Sequence, residues 1–396
     1  MSTIKTSTFD DAVQAVIMGD TEALSALLAA QPDLIHARST SDFHATLLHY
    51  VAANGVEDEL QKSPANAVEI ANILLGAGAE IDALAGTYGG GNAQTTLALL
   101  VSSGHPAEAG VQADLVKVLC DGGAQINGLD NDGLPLATAI TFGHRKAAEM
   151  LAECGARVDN LIFAAALGQL EKVKSYLTDN GKLRPDITPY TIKTMANAEG
   201  WTGTALRPFD DPVLMLGQAL VCAANHGRIE VVRYLLEQGV DVNSTLNFGD
   251  TALHQSAVKG HIEVVKLLAD SGADVNRRDQ KFDATPVEWA SHGNEPAVVE
   301  YLLKNGAIDL QTAAAFGVTE RVESILSAGS ESVNGLNESG TPLRSAAVSG
   351  HTNIVQLLLE HGADQSLQNP DGLTALDWAE KNGHEAITKM LKDHQT

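Results

Sequence analysis

Gly249 to Asn276 reads G-D-T-A-L-H-Q-S-A-V-K-G-H-I-E-V-V-K-L-L-A-D-S-G-A-D-V-N. Thr251 offers a side-chain oxygen where a helix must begin, which predicts an N-cap and a helix over Ala252 to Lys259. Gly260 then ends that helix at little cost, because glycine enters the left-handed region without a Cβ clash. His261 opens a second helix, in which Ile262, Val265, Leu267 and Leu268 are spaced as one apolar stripe. Gly272 closes it, and Asp274 to Asn276 lead into a polar turn. Neither helix is long enough to hold in water alone. Each pair carries an apolar face that it cannot bury by itself, and stacking copies side by side removes the problem.

The same pattern recurs along the chain. Gly239, Gly272 and Gly306 mark equivalent helix ends at steps of 33 and 34 residues, and Gly329 to Gly362 is again 33. The shared residues, T-P-L-H-x-A, then G-H, V-x-x-L-L and G-A-x-x-N, resemble the ankyrin repeat. The resemblance covers essentially the whole chain. It implies an all-α solenoid of about eleven helix-turn-helix units with β-hairpin-like connecting loops.

Outward from the quoted stretch, the copies vary. Phe9 to Met18 and Thr21 to Ala30 form a first pair without the T-P-L-H signature, as a polar-faced N-terminal cap should. The second copy, from Ala45, is interrupted at about 56–67 before a helix over Val68 to Ala79. The third, with helices over Thr95 to Ser103 and Gln112 to Cys120, follows the glycine-rich 86–92 and is interrupted at 105–110. The fifth and ninth have lost their projecting turn: Gly155 to Gly181 is 26 residues and Gly306 to Gly329 is 23. The largest interruption, 179–212, holds Tyr190, Trp201 and Phe209, with a helix expected from Thr188-Pro189. The chain therefore reads as N-terminal repeats over 1–178, an insertion over 179–212 and regular repeats over 213–396, in one continuous solenoid.

Formal net charge is −24. Phosphate backbones and anionic lipid are recognised through Lys and Arg, so nucleic acid and membrane are not expected partners. No apolar run approaches the roughly 18 residues of a membrane span, and no N-terminal leader pattern is seen, so a cytoplasmic monomer is expected. Cys120, Cys154 and Cys222 are widely spaced, odd in number and embedded in helix patterns, which predicts small core residues rather than disulfides or a zinc site.

Among 13 histidines, His49 and His254 fall where a ring can bond the neighbouring Thr and the adjacent turn. His144, His261, His351 and His384 follow the glycine between helices. His44, His105 and Glu108 lie off the repeat positions and are the better candidates for chemistry. Gly89-Gly90-Gly91 lacks the G-K-[ST] of a phosphate loop, so no cofactor and no metal are expected. Asn127, Asn243 and Asn276 end the G-A-x-x-N run and should bond backbone between adjacent hairpins.

By resemblance, the function is a protein-interaction scaffold that holds a partner in its concave groove and on its hairpin tips, without catalysis of its own. The partner is another protein, with a basic surface to suit the acidic chain. Contact residues are those of tips and first helices with no structural duty: Tyr88, Trp201, Phe248, Arg277, Arg278, Lys281, Phe282, Glu288 and Asn337. Phe248 and Phe282 occupy equivalent tip positions with the cations between them, an arrangement expected of an interface hot spot. The alternative is a scaffold that has acquired a small-molecule or catalytic site, with Trp201, Phe209, Asp210 and Asp211 of the insertion closing over the groove beside the irregular N-terminal repeats.

Overall fold

A computed structural model describes residues 6–86, 93–187, 211–245, 248–306, 308–336 and 340–394. The expected helix from Thr188, and Tyr88, Trp201, Phe209, Asp210 and Asn337, lie outside them. The chain divides into two compact units, residues 1–247 and 248–396, each built from antiparallel helix pairs.

In the first unit, α1 (Thr6–Met18) pairs with α2 (Thr21–Ala30), and α3 (Leu47–Ala52) with α4 (Ala67–Gly76). Helix α5 (Thr96–Leu100) is followed by the short α6 (Gly104–Glu108) and then by α7 (Gln112–Asp121). The interruption at 105–110 is thus itself largely helical, with Pro106 buried in it. Next come α8 (Leu134–Thr141) with α9 (Arg145–Glu153), α10 (Leu161–Ala166) with α11 (Leu170–Tyr176), and α12 (Pro212–Asn225) with α13 (Ile229–Glu237). First helices pack in one row, α1 on α3, α3 on α5, α8 on α10 and α10 on α12; α2, α4, α7 and α9 pack in a second. One apolar core runs between the rows, from Phe9 through Leu48, Leu99 and Ile140 to Phe163 and Cys222.

In the second unit, α14 (Ala252–Val258) pairs with α15 (Ile262–Asp270), and α16 (Pro286–His292) with α17 (Pro296–Asn305). The remaining pairs are α18 (Leu310–Ala315) with α19 (Thr319–Ala328), α20 (Pro342–Ser349) with α21 (Thr352–Glu360), and α22 (Ala375–Lys381) with α23 (Glu385–Asp393). Here α14 packs on α16, α18 on α20 and α20 on α22.

The quoted stretch folds largely as read. Thr251 Oγ1 accepts from the His254 N–H, and Gly260 and Gly272 hold φ of +70° and +88° after their helices. The stripe on α15 is corrected: Val264, Val265 and Leu268 are its buried residues, while Ile262 and Leu267 are half-buried. Helix α15 packs on α14 and α17, and the side chains turned toward them set the buried line. Each fully buried side chain of that size contributes about 1.5–3 kcal/mol.

The fifth and ninth copies keep both helices without the Thr cap. Asn160 Oδ1 accepts from the Phe163 N–H and Asp309 Oδ1 from the Thr312 N–H, so a different side-chain oxygen does the same work. Strands β1 (Leu84–Ala85) and β2 (Gln94–Thr95) pair antiparallel on either side of the glycine-rich run. They are the only strand pair among the described residues. Elsewhere the loops are tied by side chains: the Asn127 Oδ1 accepts from Arg157 N–H and the Asn276 Oδ1 from Asp309 N–H, at 2.9 Å each. The Asn334 Oδ1 does the same for Asp364 N–H.

Candidate functional site

The loop from Asn276 to Thr285 in the second unit is organised by a buried carboxylate. Asp279 Oδ1 accepts from the Lys281 and Phe282 N–H groups at 2.8 Å each, and Oδ2 from the Ala284 N–H and the Trp289 indole N–H at 3.1 and 3.0 Å. Burial alone would raise its pKa, but these four donors outweigh it and hold the carboxyl below its ordinary range. With the backbone so fixed, the Phe282 ring is displayed outward, 62% exposed.

Lys281 bridges the two tip aromatics. Its Nζ lies 4.8 Å from the Phe282 ring centre and 5.4 Å from that of Phe248, inside cation–π range. Phe282 also meets Trp289 edge to face at 6.3 Å, and Trp289 meets His254 at 5.4 Å. The surface thus runs from an exposed ring through a half-buried indole into the core. Arg277 is exposed beside it.

Arg278 and Glu288 face inward instead. The Arg278 guanidinium donates to the Asp283 carbonyl at 2.5 Å and lies 3.4 to 3.9 Å from Glu288, Asp283 and Asp309. The Glu288 carboxylate accepts from the Thr285 N–H and hydroxyl at 2.6 and 2.9 Å, closing a capping box. The structure therefore gathers Phe248, Lys281 and Phe282 on one patch, with Arg277 exposed in the same loop, and sets Arg278 and Glu288 behind it as its frame.

A second carboxylate lies under this loop. Asp250 is 1% exposed; its Oδ2 accepts from the Gln255 amide at 2.7 Å and its Oδ1 has no hydrogen-bond partner. Burial raises its pKa, and the charge of Asp279 adds to that. Neither Asp250 nor Asp279 stood out in the sequence, since D-T and R-D-Q also read as ordinary turn residues. The signal was that Asp279 is followed by Phe282 at a tip.

The histidines behave as repeat residues. His254 Nδ1 accepts from the Thr251 N–H at 3.2 Å, so its Nε2–H donates to the Ala284 carbonyl at 3.1 Å. His49 repeats this with Thr46 and the Ala83 carbonyl. Burial lowers the pKa of both to about 4, and Arg38 adds to the effect at His49. His351 and His384 Nε2 bond the carbonyls of Ala315 and Val348 in the preceding pair. His44, His105 and Glu108 are exposed; His105 and Glu108 share α6, while His44 lies in the loop before α3. What the fold uses at His44 is its carbonyl, which accepts from Arg38 at 2.9 Å, in a residue at φ +49°.

The cysteine expectation is corrected in part. Cys222 is buried, but Cys120 and Cys154 are half-exposed, and burial, then the neighbouring Cys154, pushes the Cys120 thiol up to about 12. Their spacing, 154 − 120 = 34, is close to one repeat, a signal that was present but read only as distance along the chain. Among the described residues no group of three or more His, Cys, Asp or Glu side chains is placed to hold a metal ion. No helix among them is long and apolar enough to cross a membrane. An open groove of about 530 Å³ runs along α21 and α23, lined by Gln356, Leu359, Lys389, Met390 and His394.

A family model described as ankyrin repeats, in three copies, matches residues 161–279, 220–312 and 310–396. Together these matches span 161–396, more than half of the chain.

Proposed function

Since the chain belongs to the ankyrin-repeat family, whose members generally serve as protein-interaction modules, we propose that it binds a partner protein through the loop tips at Phe248 and Phe282. We read about eleven repeat units in it, two of them shortened, acting as a monomeric scaffold without catalysis of its own. The observation that carries the proposal is the fixed display of Phe282. An exposed ring costs solvation, yet a buried carboxylate with four donors is spent on holding it outward.

Phe248, Lys281, Phe282 and Arg277 are the proposed contacts; Arg278, Glu288 and Asp279 hold them in place. The aromatic pair supplies rigid apolar area at small entropic cost, and the flanking cations supply polar contacts at its rim. The charge of −24 draws a partner with a basic surface at long range.

The test is paired. Phe248→Ala with Phe282→Ala should weaken partner capture by at least ~10-fold, the scale of a hot-spot loss, while leaving the melting temperature within a few degrees. Capture of the same partner with unchanged affinity would remove this surface from the account. A large fall in melting temperature would make the rings structural.

A further inference from the structure

We propose that Asn54–Gly55 is a self-converting site, at which the glycine nitrogen cyclises onto the asparagine side chain and leaves aspartate or isoaspartate in its place. The chain has six Asn-Gly pairs, beginning at Asn54, Asn127, Asn180, Asn305, Asn334 and Asn382. Glycine has no Cβ to shield its nitrogen, so the sequence makes all six equal candidates. The fold separates them by where each glycine N–H points. The glycines of the other five pairs each donate to a backbone carbonyl three or four residues back. Gly55 instead donates to the Oδ1 of Asn54 itself, at 2.9 Å. A carbonyl bond is about 1.2 Å long, so the Asn54 Cγ lies within ~4 Å of that nitrogen.

The surroundings hold the reacting groups together. Asn54 sits between Ala53 at φ +49° and Gly55 at φ +65°, a turn tight enough to fold its side chain over the next amide. Asn54 Nδ2 donates to Ser102 Oγ at 2.6 Å, and that hydroxyl donates to the Leu99 carbonyl at 2.8 Å. Ser102 follows α5, so the neighbouring copy fixes the carboxamide with its oxygen, not its nitrogen, toward Gly55. The Gly55 nitrogen attacks Cγ and passes its proton to Oδ1 as the N–C bond forms. The tetrahedral carbon then re-forms its carbonyl and expels Nδ2 as ammonia, which takes up the hydroxyl proton and leaves a cyclic imide. Water adds to either imide carbonyl. Breaking the bond from Cγ to nitrogen gives aspartate; breaking the bond from the main-chain carbonyl carbon gives isoaspartate. One amide and one water yield one carboxyl group and one ammonia, with nothing oxidised or reduced. Holding the nitrogen against the carbon is what sets this pair apart, since proximity replaces a search over side-chain rotamers.

Either product lacks the Nδ2–H donor that ties the turn after α3 to Ser102, and isoaspartate adds a methylene to the main chain beside a glycine packed on Leu99. The second and third copies loosen where α3 meets α5. The experiment incubates the full folded chain at mildly alkaline pH, where the nitrogen loses its proton more readily. It follows all six Asn-Gly peptides by mass spectrometry, with isoaspartate read by enzymatic methyl labelling. Asn54 is half-buried, whereas Asn180, Asn305 and Asn382 are exposed, so control by exposure and control by geometry give opposite orders. Asn54 should convert at least ~10-fold faster than any other pair, the scale of a preset near-attack geometry, and unfolding in urea should erase that lead. Equal rates in the folded chain, an intact Asn54 while Asn180 or Asn382 converts, or a lead that persists in urea would each overturn the proposal.

Discussion

At the scale of single residues, polar groups inside this protein either complete a cap or strain against their burial. His49 and His254 are neutral in the fold because Nδ1 must accept from a Thr N–H while the ring is buried. A proton there would set two donors face to face. Their folded pKa of about 4 is below the ordinary 6.5, so the unfolded chain binds more protons between those values. The stability they confer is complete above pH 6.5 and is lost as pH falls toward 4. Melting temperature should therefore drop across that window, and His254→Gln should reduce the drop; an unchanged pH profile in that variant would assign the loss elsewhere. Asp250 and Asp279 lie close together but should respond in opposite ways. Asp250→Asn removes a buried charge with an unpartnered oxygen and should leave stability unchanged or raise it by about 1 kcal/mol at neutral pH. Asp279→Ala strands donors that now share one carboxylate and should cost about 2–4 kcal/mol, read by urea denaturation. Equal effects from the two would refute the assignment.

At the scale of elements, the helix pairs were legible because their signals are local: an oxygen at the N-cap, apolar spacing along one face, glycine at the end. The capping position tolerates substitution of its partner. Three residues after the capping Thr stand His254, Glu288, Arg344 and Asp377, and three of them return a bond to the Thr while Arg344 does not. What was not legible needed three dimensions. The side on which α15 buries its valines depends on neighbours, and α6 forms within a stretch that looked like an interruption. The candidate surface was partly readable: the tip aromatics repeat at 282 − 248 = 34, but nothing local distinguished the exposed Arg277 from the engaged Arg278. Because Asp279 shapes the loop, Asp279→Ala should also weaken partner capture with both phenylalanines intact. Wild-type capture by a folded Asp279→Ala chain would show that the loop's conformation is irrelevant to binding.

At the scale of the whole molecule, stacked pairs hold mainly through their neighbours, so damage should stay near its origin. Leu358 is fully buried on α21, and Leu358→Ala should cost about 2–4 kcal/mol. Hydrogen exchange should quicken over α19 to α23 and stay unchanged over α1 to α4; a uniform rise would mean one cooperative block. The neighbour contacts also differ from pair to pair. His254 meets Trp289 of the following repeat edge to face, and Arg344 lies 4.7 Å over Trp378 of its own follower. In both cases the residue beside the cap of one copy reads an indole supplied by the next. Copies that share a backbone are therefore not interchangeable. Shuffling them would put Arg344 against Gln255 or His254 against Ser345, so the order of the modules is written in these pairwise matches, as the order of pages is kept by catchwords.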